Sequence, residues 1–72
     1  MFSVATGYVV GIIKDNPELQ ELRIQIDGRS EPERAYNYPQ LYHQLLIGER
    51  VMLNTAAVKL GLYTIFNFLF LD

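Results

Sequence analysis

From Leu22 to Asp27 apolar and polar residues alternate without a break, with Leu22, Ile24 and Ile26 on one side of an extended chain and Arg23, Gln25 and Asp27 on the other. A period of two marks a half-buried antiparallel strand, with one face on a core and the other in water. The rest of the chain must then be compatible with a sheet.

Most of it is. Ser3 to Lys14 reads as a strand with Val4, Thr6, Tyr8, Val10 and Ile12 on one face and Ala5, Gly7, Val9, Gly11 and Ile13 on the other. Glycines inside a strand mark a bend, a bulge or the close approach of another backbone, which a tightly coiled barrel strand needs. Lys14-Asp15-Asn16-Pro17-Glu18 is a turn by composition, so the first two strands form a hairpin. Asp27-Gly28 opens a second polar turn that runs to Pro32.

Glu33 to Tyr38 alternates again, placing Arg34, Tyr36 and Tyr38 opposite Ala35 and Asn37, and Pro39 ends the run. Leu41 and Leu45 are four apart after that proline, which predicts one helical turn over 39–46, stable only by packing. Ile47-Gly48-Glu49 is a turn, and Arg50 to Thr55 is a fourth strand with Val51 and Leu53 inward. Ala56 to Gly61 fits a helical turn or a bent strand. Leu62 to Leu71 predicts a fifth strand, apolar on both faces and either buried or in search of a partner. Short strands, tight turns and one helical turn predict a single all-β domain over 1–72, a small five-stranded barrel of SH3-like or OB-like type.

At 72 residues such a barrel is hard to stabilise. A domain of about 60 residues buries only about 60% of the surface its unfolded chain exposes. Small domains usually add a disulfide, a metal or a partner. With no cysteine and one histidine, His43, disulfides, thiolate catalysis and a cysteine-ligated metal are excluded. Association with another protein is the expectation left standing.

Charge narrows the partners. The net charge of −2 provides no overall basic field for nucleic acid or anionic lipid. The longest apolar stretch, Leu60 to Leu71, is interrupted by Thr64 and Asn67 and falls short of the roughly 20 residues of a spanning helix. The start lacks the charged residues and apolar run of a signal peptide, so a cytoplasmic location away from membranes is expected. Charged residues concentrate between Lys14 and Arg34, whereas residues 51–72 hold only Lys59 and Asp72.

Catalytic chemistry finds little support. Glu18 with Glu21, and Glu31 with Glu33, sit in or beside polar turns, where nothing separates their pKa values as an acid–base pair needs. His43 has no nucleophile motif near it in sequence, and no phosphate-binding loop is present. No catalytic residue, cofactor or metal site is therefore expected, and the chain does not read as an enzyme. Weak ligand-binding candidates are Arg34, Tyr36 and Tyr38 on one strand face, and Asn54 and Thr55 at a strand end. Aromatic platforms beside a positive groove bind single-stranded nucleic acid. Glu31 and Glu33 flank Arg34, however, which disfavours nucleic acid, and tyrosines on a strand face more often pack across the sheet.

The run Gly48-Glu49-Arg50-Val51-Met52-Leu53-Asn54-Thr55-Ala56-Ala57-Val58-Lys59-Leu60-Gly61-Leu62, with Gly7-Tyr8-Val9-Val10, Asp27-Gly28 and Ala35-Tyr36-Asn37-Tyr38-Pro39, resembles the amino-terminal region of an uncharacterised bacterial family of unknown function. The resemblance covers residues 3–62 and is most specific from Leu53 to Leu62. It implies a leading β-barrel before a much larger domain and supplies no reaction. After Leu62 the family's glycine-rich continuation is replaced by Tyr63 to Asp72, which implies a truncated or frame-shifted member.

The leading expectation is thus a non-catalytic barrel that packs against another protein domain or another copy of itself through the apolar C-terminal strand. The alternative is an oligonucleotide-binding barrel using Tyr36 and Tyr38 with Arg34 and Lys14. A third possibility is an enzyme fragment lending Asn54 and Thr55 to a site completed elsewhere.

Overall fold

The computed structural model describes residues 4–55 and 63–65. Five strands, β1 (Val4–Asp15), β2 (Gln20–Ile26), β3 (Glu33–Asn37), β4 (Arg50–Asn54) and β5 (Thr64–Ile65), close into a barrel in the order β1-β2-β3-β5-β4. All neighbours are antiparallel except β3 and β5. This Greek-key order, in which β5 enters between β3 and β4 and β4 returns to β1, is that of the OB-like alternative. The expected class, an all-β five-stranded barrel with one short helical turn, is the fold observed.

The alternation read from β2 holds, since Leu22, Ile24 and Ile26 are buried and Arg23 is exposed. Val51 and Leu53 point inward from β4 as expected. With Val9, Ala35, Leu45 and Tyr63 they fill the interior. Full burial of each large aliphatic side chain is worth roughly 1.5–3 kcal/mol.

The first strand departs from strict alternation. The β1–β2 register slips by one residue between Val9 and Gly11 and again between Ile12 and Lys14. Each slip is a bulge that inserts an unopposed residue, first Val10 and then Ile13. The inward series is therefore Ala5, Gly7, Val9 and then Ile12, which packs on the core, while Ile13 is 47% exposed. Sequence parity assigned Ile12 and Ile13 to the opposite faces, because a bulge changes parity without leaving a mark in composition.

Gly7 shows why a glycine is needed in β1. A Cβ there would overlap the carbonyl oxygen of Gln25 and stand 3.0 Å from both the Gln25 carbonyl carbon and Ile24 Cγ2. Close approach of β2 across the coil of the barrel leaves no room for a side chain.

The expected helical turn shrinks to a 3-10 turn at Pro39–Leu41. Leu45 is buried as its spacing suggested, but Leu41 is 69% exposed. His43 and Leu45 are held instead by hydrogen bonds from two buried amides. The expected fifth strand is described only at Thr64–Ile65, where it pairs with both β3 and β4. The rest of that strand, and the ambiguous segment 56–61, lie outside the described residues.

Candidate functional site

Two amides anchor the long β3–β4 connection. Gln20 and Asn37 oppose each other in the β2–β3 register and are both buried. Asn37 Nδ2 donates to Gln20 Oε1 at 2.8 Å and to the carbonyl of His43 at 2.9 Å. Gln20 in turn donates to the carbonyl of Leu45 at 3.0 Å and accepts from its N–H at 2.9 Å. Buried polar groups must be paired, and here they fix where the loop backbone runs.

That loop then follows β1. Gln44 Nε2 donates to the Asp15 carboxylate. Further on, the Gly48 N–H donates to the Val9 carbonyl at 2.8 Å and the Val9 N–H to the Glu49 carbonyl at 3.0 Å. Between these anchors Leu46-Ile47-Gly48-Glu49 makes a tight turn, closed by Glu49 N–H to the Leu46 carbonyl at 3.2 Å. Gly48 has φ 95°, as the third residue of a type II turn requires. The Glu49 carboxylate accepts from the Leu46 N–H at 2.7 Å and from His43 Nε2 at 2.8 Å. Partial burial raises the Glu49 carboxyl, but these two hydrogen bonds outweigh it and hold the group below its ordinary value of 4.5. His43 therefore has a carboxylate partner, and together they brace a turn.

The turn presents Leu46 and Ile47, each 65% exposed, beside the bulged residues Val10 and Ile13, 38% and 47% exposed. Four large exposed aliphatic side chains thus belong to β1 and to the turn that is hydrogen-bonded to it at Val9. Single exposed apolar residues need no explanation, whereas large contiguous apolar patches are a feature of interaction surfaces in general.

On the other side of β1 the outer face of the sheet is basic. Gly11, Arg23 and Arg34 lie in one row across β1, β2 and β3, and Lys14, Glu21 and Tyr36 in the next. Arg34 Nε reaches Glu21 Oε2 at 3.2 Å. Arg23 has no ion-pair partner among the described residues, and its aliphatic stem lies over Gly11. Glu33, which flanks Arg34 in sequence, alternates to the other side of β3 and approaches Arg29 Nη1 at 3.5 Å. A chain with net charge −2 thus carries three cations against one carboxylate on this face.

Of the candidates read from sequence, Arg34, Tyr36 and Tyr38 follow one another on the outer side of β3, with Tyr36 half-buried and Tyr38 47% exposed. Tyr36 opposes Glu21 on β2 and Thr64 on β5. Asn54 opposes Thr64 from the far side, so Tyr36 and Asn54 stand two strand spacings apart, about 10 Å. Thr55 follows Asn54 at the end of β4, and both are half-buried. Sequence reasoning missed Val10, Ile13, Leu46, Ile47 and Arg23. Only the glycines of β1, which hinted at bulges, pointed towards the first two.

A third cluster joins β1, β2 and β4. Arg50 donates from Nη1 and Nη2 to the two Asp27 carboxylate oxygens, at 3.1 and 2.7 Å, and Thr6 Oγ1 donates to the carboxylate at 2.7 Å. The Arg50 hydrogen bonds, and secondarily that of Thr6, hold the Asp27 carboxyl below its ordinary value. Among the described residues no helix is long and apolar enough to cross a membrane, and no group of three or more potential ligands could hold a metal ion. Comparison with protein-family models, with curated proteins and with solved structures gives no match.

Proposed function

We propose that this barrel is a non-catalytic module that docks onto another protein surface, either a neighbouring domain or a second copy of the chain. The observation that carries this is the apolar strip of Val10, Ile13, Leu46 and Ile47. Covering it would supply the extra burial a chain this short needs. The β1 strip adds a docking face to the expected C-terminal strand, of which only Thr64–Ile65 is described, with a neighbour on each side. The resemblance to the leading barrel of a larger protein agrees with a module that normally meets another domain.

Two measurements test it together: sedimentation of the purified chain up to high micromolar concentration, and selection from a random-peptide display library. Concentration-dependent association or enrichment of apolar peptides is expected, and both should be lost in a variant carrying Leu46→Ser and Ile47→Ser. A clean monomer that also enriches nothing would refute the reading.

The basic outer face favours a second reading, an oligonucleotide-binding barrel, because OB-like barrels bind across strands two and three. Here that face offers Arg23, Arg34, Tyr36 and Tyr38, with Lys14 at its edge. It predicts salt-dependent binding of single strands that weakens in Tyr36→Ala. Absence of binding at low salt would dispose of it.

A further inference from the structure

We infer that the partner segment is acidic as well as apolar: a stretch of protein whose large apolar side chains cover Val10, Ile13, Leu46 and Ile47 while carboxylates beside them meet Arg23 and Arg34. This rests on the docking reading and adds the chemistry of the occupant.

The argument begins with Arg23 and Arg34. They are direct cross-strand partners on β2 and β3 and point to the same outer side. Like charges directly opposite each other destabilise a sheet. Glu21 offsets Arg34 at 3.2 Å, and no carboxylate among the described residues does the same for Arg23. The Arg23 stem lies over Gly11, where a Cβ would be 3.6 Å from Arg23 Cβ and 3.9 Å from Cδ. Gly11 sits between the bulged residues Val10 and Ile13, so Arg23 borders the apolar strip. Lys14, next to Ile13, extends the positive border towards the β1–β2 turn.

Apolar contacts supply area, whereas a border of one sign selects partners and rejects those of like charge. Arginine suits this place because its planar fork binds a carboxylate through two hydrogen bonds. On this protein the complement to an apolar strip edged by unneutralised arginine is an apolar segment edged by Asp or Glu. Within the sheet Tyr36 of this face is half-buried with Glu21 opposite, and the exposed Tyr38 lies beyond the end of β3. Protein is therefore favoured over nucleic acid.

The probe is a random-peptide display library panned against the wild-type chain, against R23E/R34E, and against R23Q/R34Q in case the charge reversal disturbs the fold. Wild type should enrich peptides that combine large apolar residues with Asp or Glu. One such peptide, resynthesised, should bind roughly tenfold more weakly to R23Q/R34Q and lose affinity as salt rises. R23E/R34E should enrich Lys or Arg instead. Apolar peptides without acidic enrichment, or enrichment unchanged by the arginine substitutions, would overturn this inference and leave the docking face standing. No enrichment, together with a monomeric chain, would overturn both. Displacement of the acidic peptide by an oligothymidine at equal concentration would assign the face to nucleic acid.

Discussion

The side-chain amide of Gln20 holds both backbone polar groups of Leu45, donating to its carbonyl at 3.0 Å and accepting from its N–H at 2.9 Å. A buried side chain thereby does what a neighbouring strand does elsewhere, pairing a loop residue through its main chain. Leu45 is placed in the core, and the residues after it are delivered to the surface beside β1.

Gln20→Leu keeps the volume and removes the pairing. Leu45 would lose both backbone partners and Asn37 one of its acceptors, each at a cost of about 1–3 kcal/mol where the group stays buried. Urea denaturation should show a loss of at least that size. Unchanged stability would mean that the amide pair does not anchor the loop.

Gly7→Ala and Gly11→Ala should differ sharply. At Gly7 the new methyl meets the Gln25 backbone, which cannot swing away, so a loss of roughly 1–3 kcal/mol is expected. At Gly11 it meets only the Arg23 side chain at 3.6 Å, an ordinary contact, and the change should stay within about 0.5 kcal/mol. Thermal melts of the two variants decide the matter.

Asp27 should titrate below its ordinary value of 3.8, because Arg50 and then Thr6 bind its ionised form. A carboxyl whose folded pKa is depressed contributes stability that is fully present above the unfolded value and is lost as pH falls through the folded one. NMR titration of the Asp27 carboxyl carbon should therefore move to higher pH in Arg50→Gln. An unmoved midpoint would show that the Arg50 pair is not formed in solution.

Leu46→Ser with Ile47→Ser should leave the denaturation midpoint nearly unchanged, within about 0.5 kcal/mol per site, because both side chains already face solvent. Lost association or peptide binding alongside that unchanged stability separates a docking role from a folding role. A large fall in stability would place these residues in the core instead.

Sequence alone reached the strands whose burial has a plain period: β2 through Leu22, Ile24 and Ile26, and β4 through Val51 and Leu53. It also grouped Arg34, Tyr36 and Tyr38, since alternation fixes which residues of one strand share a face. It did not bring Arg23 opposite Arg34, because register across strands depends on turn geometry and bulges. Nor did it find that Leu41 is exposed while Leu45 is buried. That outcome is decided by Gln20, far away in sequence, and not by helical spacing. Nor did it show that Arg34 pairs with Glu21 across the sheet and not with its sequence neighbour Glu33, because neighbours along a strand point to opposite sides.

The bulge between Val9 and Gly11 turns Ile12 inward and Ile13 outward, and the pair Ile12→Ser and Ile13→Ser tests it most directly, by equilibrium unfolding of each variant. Ile12 packs on the core and Ile13 is turned out to solvent, so the first change should cost roughly 1–3 kcal/mol and the second less than about 0.5. The reverse order, with Ile13 the costly site, would restore strict alternation to β1 and take Ile13 out of the surface on which the proposed docking depends.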